Sequence, residues 1–181
     1  MKRSFSFASC LCLALAMAAC SKVILVDRGN GGGLGPGQGQ TPAVVSSSDQ
    51  VVKVASAPVS ISPNSSAEAV VTLSISPGFH INANPATFSY LIATEVTPGK
   101  MANITAGSPT YPAPVKKKFQ FAEQPLAVYE GQIPIKLTLR AEKNATSGPL
   151  SVPITVRVQA CDEEKCFPPA TVSSTISVIV K

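Results

Sequence analysis

SVPITVRVQACDEEKCFPPATVSSTISVIV, residues 151–180, sets two alternating runs around a pair of cysteines. Val152, Ile154, Val156 and Val158 alternate with mostly polar partners before the pair, and Val172, Ile176, Val178 and Val180 do so after it. A period of two places the apolar residues on one face of a half-buried strand. The two runs therefore read as a hairpin with Cys161 and Cys166 at its tip. By parity Cys161 continues the polar face of its strand with Thr155, Arg157 and Gln159, so its sulfur is expected to point away from the core.

The same alternation recurs upstream at Val52 and Val54, at Val71, Leu73 and Ile75, and at Ile133, Ile135, Leu137 and Leu139. Pro63-Asn64, Pro77-Gly78, Pro98-Gly99 and Gly148-Pro149 punctuate these runs, and no segment keeps a helical period over a useful length. The predicted fold class is all-β: an immunoglobulin-like antiparallel β-sandwich of roughly seven to nine strands in one domain, residues 50–181. The sequence has no Trp, and its two distal cysteines are too close together to staple one sheet to the other. Aliphatic packing alone must hold the sandwich.

The chain opens with Lys2 and Arg3, an apolar run from Phe5 to Met17, and small residues before Cys20. This is the pattern of an export signal, too short for a permanent span of about 20 residues. Met17-Ala18-Ala19-Cys20 resembles a bacterial lipobox, which makes residues 1–19 a signal peptide and Cys20 a lipidation site. Ser21 after the cysteine points to the outer membrane. Residues 20–49 are rich in Gly and Ser and cannot build a core; as a flexible tether they reach about 30 Å. Cys10 and Cys12 leave with the signal and Cys20 carries lipid, so Cys161 and Cys166 remain as a pair in a compartment where disulfides persist.

Spacing leaves the role of that pair open between a structural bond and a redox centre. A disulfide closing so short a loop is worth about 2 kcal/mol in the chain-entropy model, against nearly 5 for a loop of about 100 residues. Asp162, Glu163 and Glu164 disfavour a thiolate nearby, whereas Lys165 favours one at Cys166. Pro168 and Pro169 stiffen the exit from the loop. Phe119, Phe121 and Leu126, interrupted by Gln124-Pro125, form an apolar stretch too irregular for a strand. His80 is the single histidine; a lone histidine beside a turn is usually exposed or hydrogen-bonded. A Cys166–His80 nucleophile pair and a copper set of Cys161, Cys166, His80 and a methionine are minor alternatives, and no metal or cofactor is expected.

With Lys2 and Arg3 set aside, 13 basic residues face 10 acidic ones, a formal +3. The run Lys116-Lys117-Lys118 reads as a solvated edge or loop, and no nucleic-acid partner is expected.

GFHINANP (78–85), YLIATEV (90–96), YPAPVKKKF (111–119), LAVYEGQIPI (126–135) and QACDEEKCFPPAT (159–171) together resemble the N-terminal periplasmic domain of the thiol:disulfide interchange protein DsbD. The resemblance covers nearly all of residues 50–181 and implies an immunoglobulin-like fold. It implies that Cys161 and Cys166 are the redox pair, with Cys166 forming mixed disulfides. Residues 119–129, including Phe119, Phe121, Leu126 and Tyr129, become a cap loop that opens for partners. Phe79, His80 and Asn82 lie in the strand beneath it, where the best-known members carry aromatic residues in place of His80 and Asn82. The implied partners are thioredoxin-like periplasmic oxidoreductases, in protein-disulfide reduction or cytochrome c maturation. Full-length members continue into transmembrane helices, whereas this sequence ends at Lys181, so a separate membrane electron donor is expected.

Overall fold

In the computed structural model, which describes residues 44–181, the alternation along the long strands becomes an alternation of burial. On β10 (Gly148–Val158), Val152, Ile154, Val156 and Val158 are buried while Ser151, Pro153, Thr155 and Arg157 are exposed. The signal segment, the lipobox with Cys20 and most of the expected tether lie outside the described residues.

Two four-stranded sheets form the sandwich. The first runs β1 (Val52–Ser56), β3 (Ser66–Ile75), β9 (Gln132–Ala141) and β6 (Ile104–Ala106). The second runs β2 (Val59–Ile61), β12 (Ala170–Val180), β10 and β5 (Glu95–Pro98). Val71, Leu73, Ile135, Leu137 and Leu139 from the first and Val152, Ile154, Val156, Ile176 and Val178 from the second share one core. The fold is thus an immunoglobulin-like β-sandwich held by aliphatic side chains. Its pairings are antiparallel except that of β2 with β12, where Val59 to Ile61 run parallel to Val178 to Val180. Asn64 and Gly78, in two of the expected turns, take positive φ of 57° and 84°. Only residues tolerant of the left-handed region close such turns without strain.

A third sheet sits beyond the end of the β10–β12 hairpin: β11 (Ala160–Cys161), β4 (His80–Asn82), β8 (Leu126–Tyr129) and β7 (Val115–Lys117). Its existence corrects one sequence expectation and agrees with another. Leu126 to Tyr129, assigned to an irregular cap loop, form a strand paired on both sides. The run 116–118 is an edge, as expected, because β7 pairs only with β8.

The ordered domain also begins earlier than residue 50. Ser48 to Gln50 form a 3-10 turn, and Ser48 is fully buried. Composition placed this serine in the tether, but its neighbours Val51 and Val52 belong to the core and draw it in.

Candidate redox site

The β10 ladder with β12 ends at Val158 opposite Ala170. Past it the chain changes sheets: Ala160 pairs with Ile81 and Cys161 with His80. Val158 and Ala160 keep the alternation, with Gln159 half-exposed between them, and the buried Cys161 breaks the period of two. This corrects the parity argument for Cys161. Its side chain is fully buried because the strand that carries it has left the sheet on which parity was counted. Ser48 secures the departure. The Ala160 N–H donates to Ser48 Oγ (2.9 Å), and that hydroxyl donates to the Pro168 carbonyl (2.7 Å).

Between the cysteines the loop closes on itself. Asp162 N–H donates to the Lys165 carbonyl (2.9 Å), and Asp162 Oδ1 accepts from the N–H groups of Glu164 and Lys165, each at 2.8 Å. Burial opposes the Asp162 carboxylate, but the two backbone donors and the Lys165 charge outweigh it and hold the group below its ordinary pKa. Phe167 N–H returns to the Ala160 carbonyl (2.8 Å). Cys161 and Cys166 are joined in a disulfide with their Cα atoms 3.9 Å apart. The two sulfurs are not equivalent, since Cys161 is buried and Cys166 half-buried.

Aromatic side chains stack beside the strand that pairs with Cys161. Phe119, 1% exposed, stacks on His80 with ring centroids 4.0 Å apart, and Phe121 stacks on Phe119 at 5.3 Å. Lys118 Nζ ties down the turn by donating to the carbonyls of Ala122 and Glu123. Phe119, Leu126 and Val128 form a small apolar cluster of their own, with Phe88, Leu91 and Ala122 packed against it. Beside Cys166 a cleft of about 360 Å³ opens between Tyr90, Leu91, Phe121, Leu126 and Lys165. Tyr90 (73% exposed) and Phe121 (41%) present apolar surface there.

His80 is 1% exposed, and neither ring nitrogen has a hydrogen-bond partner among the described residues. That departs from the exposed or bonded histidine expected. Burial first, then the Lys117 charge, lower its pKa from 6.5 to about 4. Asn82 and Tyr129 are buried, and their polar groups bond to neighbouring segments of the domain. Asn82 Nδ2 donates to Gln159 Oε1 (3.1 Å) and the Ile92 carbonyl (3.2 Å). The Tyr129 hydroxyl accepts from Asn84 N–H (3.3 Å) and donates to the Pro112 carbonyl (3.1 Å). Phe79 packs against Phe167 at 5.8 Å, and Lys165 Nζ lies 5.5 Å from the Phe167 ring centre. Sequence reasoning missed Ser48, Gln159 and Lys117. Lys117 Nζ bridges Glu130 and Glu163, each at 2.8 Å, and so tethers the cysteine loop to β7. No group of three or more potential metal-ligating side chains occurs among the described residues.

The family model "Thiol:disulfide interchange protein DsbD, N-terminal" matches residues 48–177. The chain belongs to the DsbD N-terminal family. The match runs from the buried serine at the domain's start through both cysteines. No significant match is found among curated proteins. Among solved structures, the N-terminal periplasmic domain of ScsB from Proteus mirabilis is similar at 10% identity, covering 71% of this chain and 45% of that one, with a TM-score of 0.43. CaCohA2 from Clostridium acetobutylicum is similar at 16% identity over 76% of this chain and 96% of that one, with a TM-score of 0.38.

Proposed function

We propose that this DsbD N-terminal-family domain is a periplasm-facing thiol–disulfide exchange module that relays electrons through Cys161 and Cys166 to thioredoxin-like oxidoreductases. The observation that carries the reading is the asymmetry of the pair. Cys166 stands half-exposed at an apolar cleft, whereas Cys161 is buried on the strand pair opposite His80. Exchange proceeds by thiolate attack on one accessible sulfur, followed by resolution from the other. A partner's redox cysteine reaches Cys166 from the cleft, while Tyr90 and Phe121 supply the apolar contact that docking requires. Phe119 and Phe121 shield the bond until that contact displaces them. The reduced domain passes two electrons to the partner's disulfide and is re-reduced by a membrane electron donor.

The lipobox reading of Cys20 adds an anchor to the outer membrane and makes residues 20–49 the tether. No helix among the described residues is long and apolar enough to cross a membrane. A lipidated chain should fractionate with membranes and a Cys20→Ser variant should not; equal partitioning of the two would remove the anchor.

The exchange function is tested by trapping. A Cys161→Ser variant, incubated with an oxidised thioredoxin-like protein, should accumulate a covalent complex through Cys166, and Cys166→Ser should not. Equal trapping by both would overturn the assignment of Cys166. Trapping by neither, with a wild-type potential below about −300 mV, would mark the bond as structural.

A further inference from the structure

His80 occupies a position that packing alone does not explain. A phenylalanine would fill the same stack on Phe119, yet the chain buries an imidazole with two unsatisfied nitrogens. Each such group forgoes the hydrogen bond it would make in water. Register sets His80 directly opposite Cys161. Paired residues of antiparallel strands project from the same face with Cβ atoms about 4.5–5.5 Å apart. The imidazole and the buried sulfur are therefore neighbours beneath the cap. While the disulfide is intact, Cys161 has no proton to offer. Reduction creates an S–H beside an unused nitrogen lone pair.

We propose that His80 is the proton acceptor for the Cys161 thiol, an inference that rests on the exchange function above. In the reduced domain Cys166 gives its proton to solvent, its thiolate attacks the partner's disulfide, one partner sulfur leaves as thiolate and is protonated from solvent, and a mixed disulfide remains. The Cys161 proton then passes to His80. The resulting Cys161 thiolate attacks Cys166 Sγ, so the bond between the cysteines forms as the bond to the partner breaks. The departing partner thiolate takes up a proton, and the imidazolium returns its own through solvent. Two electrons have moved to the partner, its two sulfurs carry the two protons, and His80 is neutral again.

The surroundings suit this role. At neutral pH the imidazole is in its uncharged, proton-accepting form, held there by burial and by Lys117 of β7. Glu130, from the turn after β8, and Asp162 and Glu163, from the cysteine loop, act in the opposite sense. The cap contributes the uncharged ring of Phe119. Once the proton has moved, the adjacent thiolate stabilises the imidazolium, and the two groups titrate as a pair.

The test uses the full chain carrying Cys166→Ser, with the alkylation rate of Cys161 followed against pH at its own peptide by mass spectrometry. Combining it with His80→Phe keeps the aromatic stack but removes the acceptor; His80→Gln keeps a polar group that cannot take the proton. Both should raise the pH midpoint by about one unit, leaving roughly tenfold less thiolate at neutral pH. Cap loosening changes the plateau rate but not the midpoint, so coincident midpoints in all three proteins would overturn the proposal. Because the chain has one histidine, its imidazole NMR signals are unambiguous in the unsubstituted protein. They should shift on reduction of the disulfide, and their constancy would equally overturn it. If Cys161→Ser traps no partner but the Cys161 midpoint still depends on His80, the exchange function falls and the proton link stands. Trapping with coincident midpoints removes the link alone.

Discussion

Replacing His80 with phenylalanine should remove a defined part of the domain's acid sensitivity. The folded imidazole titrates at about 4 instead of 6.5, chiefly because burial penalises its charged form. Between those values the unfolded chain binds a proton that the folded chain refuses, so stability rises with pH across the window. The contribution is fully present above pH 6.5 and is lost as pH falls toward about 4. Linkage puts the loss at about 3 kcal/mol between pH 7 and pH 4. Urea denaturation of both proteins at the two pH values measures it. Carboxylates also titrate in this range, including Asp162, whose lowered pKa makes it a further stabilising group lost in acid. The decisive quantity is therefore the wild-type loss minus the variant loss, in which shared carboxylate effects cancel. It should be about 3 kcal/mol, with the variant at least as stable at pH 7 because it buries no unsatisfied nitrogen. Equal losses would refute the reasoning that a buried, unbonded imidazole stays neutral in the folded state, whatever its role in exchange.

Ser48→Ala leaves the buried Ala160 N–H without its acceptor and should cost about 1–3 kcal/mol in the same urea assay; an unchanged midpoint would show that the hydroxyl does not support the hairpin. Phe121→Ala removes the outer ring of the cap stack. It should speed alkylation of reduced Cys166 roughly two- to tenfold, the range that a lost aromatic pair allows, and an unchanged rate would count against shielding. Lys117→Met removes the cation that lowers the His80 pKa, so the imidazole midpoint read by NMR should rise above about 4. Its effect on stability should stay below about 1 kcal/mol because the ion pairs of Lys117 are exposed, and a fall in the midpoint would refute the electrostatic reading.

The sandwich was legible because burial on one face leaves a period of two in any long strand, and β3, β9, β10 and β12 are ten or eleven residues each. A strand of two to four residues leaves no such trace. Neither β11, which is Ala160 and Cys161, nor β4, which is His80 to Asn82, declares itself against its neighbours. The third sheet was invisible for that reason, and with it the burial of Cys161. The cysteine pair itself was legible from chemistry, since Cys161 and Cys166 are the two cysteines among the described residues. The side chains that position it were not. Ser48 lies 112 residues from Ala160 and Asn82 lies 77 from Gln159, and hydrogen bonds over such separations carry no local signal.

The same geometry explains why the site lies where the sequence pattern fails. To bury one sulfur and half-expose the other, the chain must leave the sheet between Val158 and Ala160, and leaving a sheet frees backbone groups that need new partners. Ser48 Oγ takes the Ala160 N–H, Phe167 N–H takes the Ala160 carbonyl, and Asn82 N–H takes the Gln159 carbonyl (3.3 Å). Each partner comes from a different part of the chain, so the departure is fixed from three sides while the loop from Asp162 to Lys165 holds its shape through its own hydrogen bonds. Phe121, by contrast, is held by a ring stack alone among the contacts described, which is why the exchange function proposed above assigns motion to this side chain. On the exchange function proposed above, a partner that displaces this ring would meet Cys166 on a rigid support.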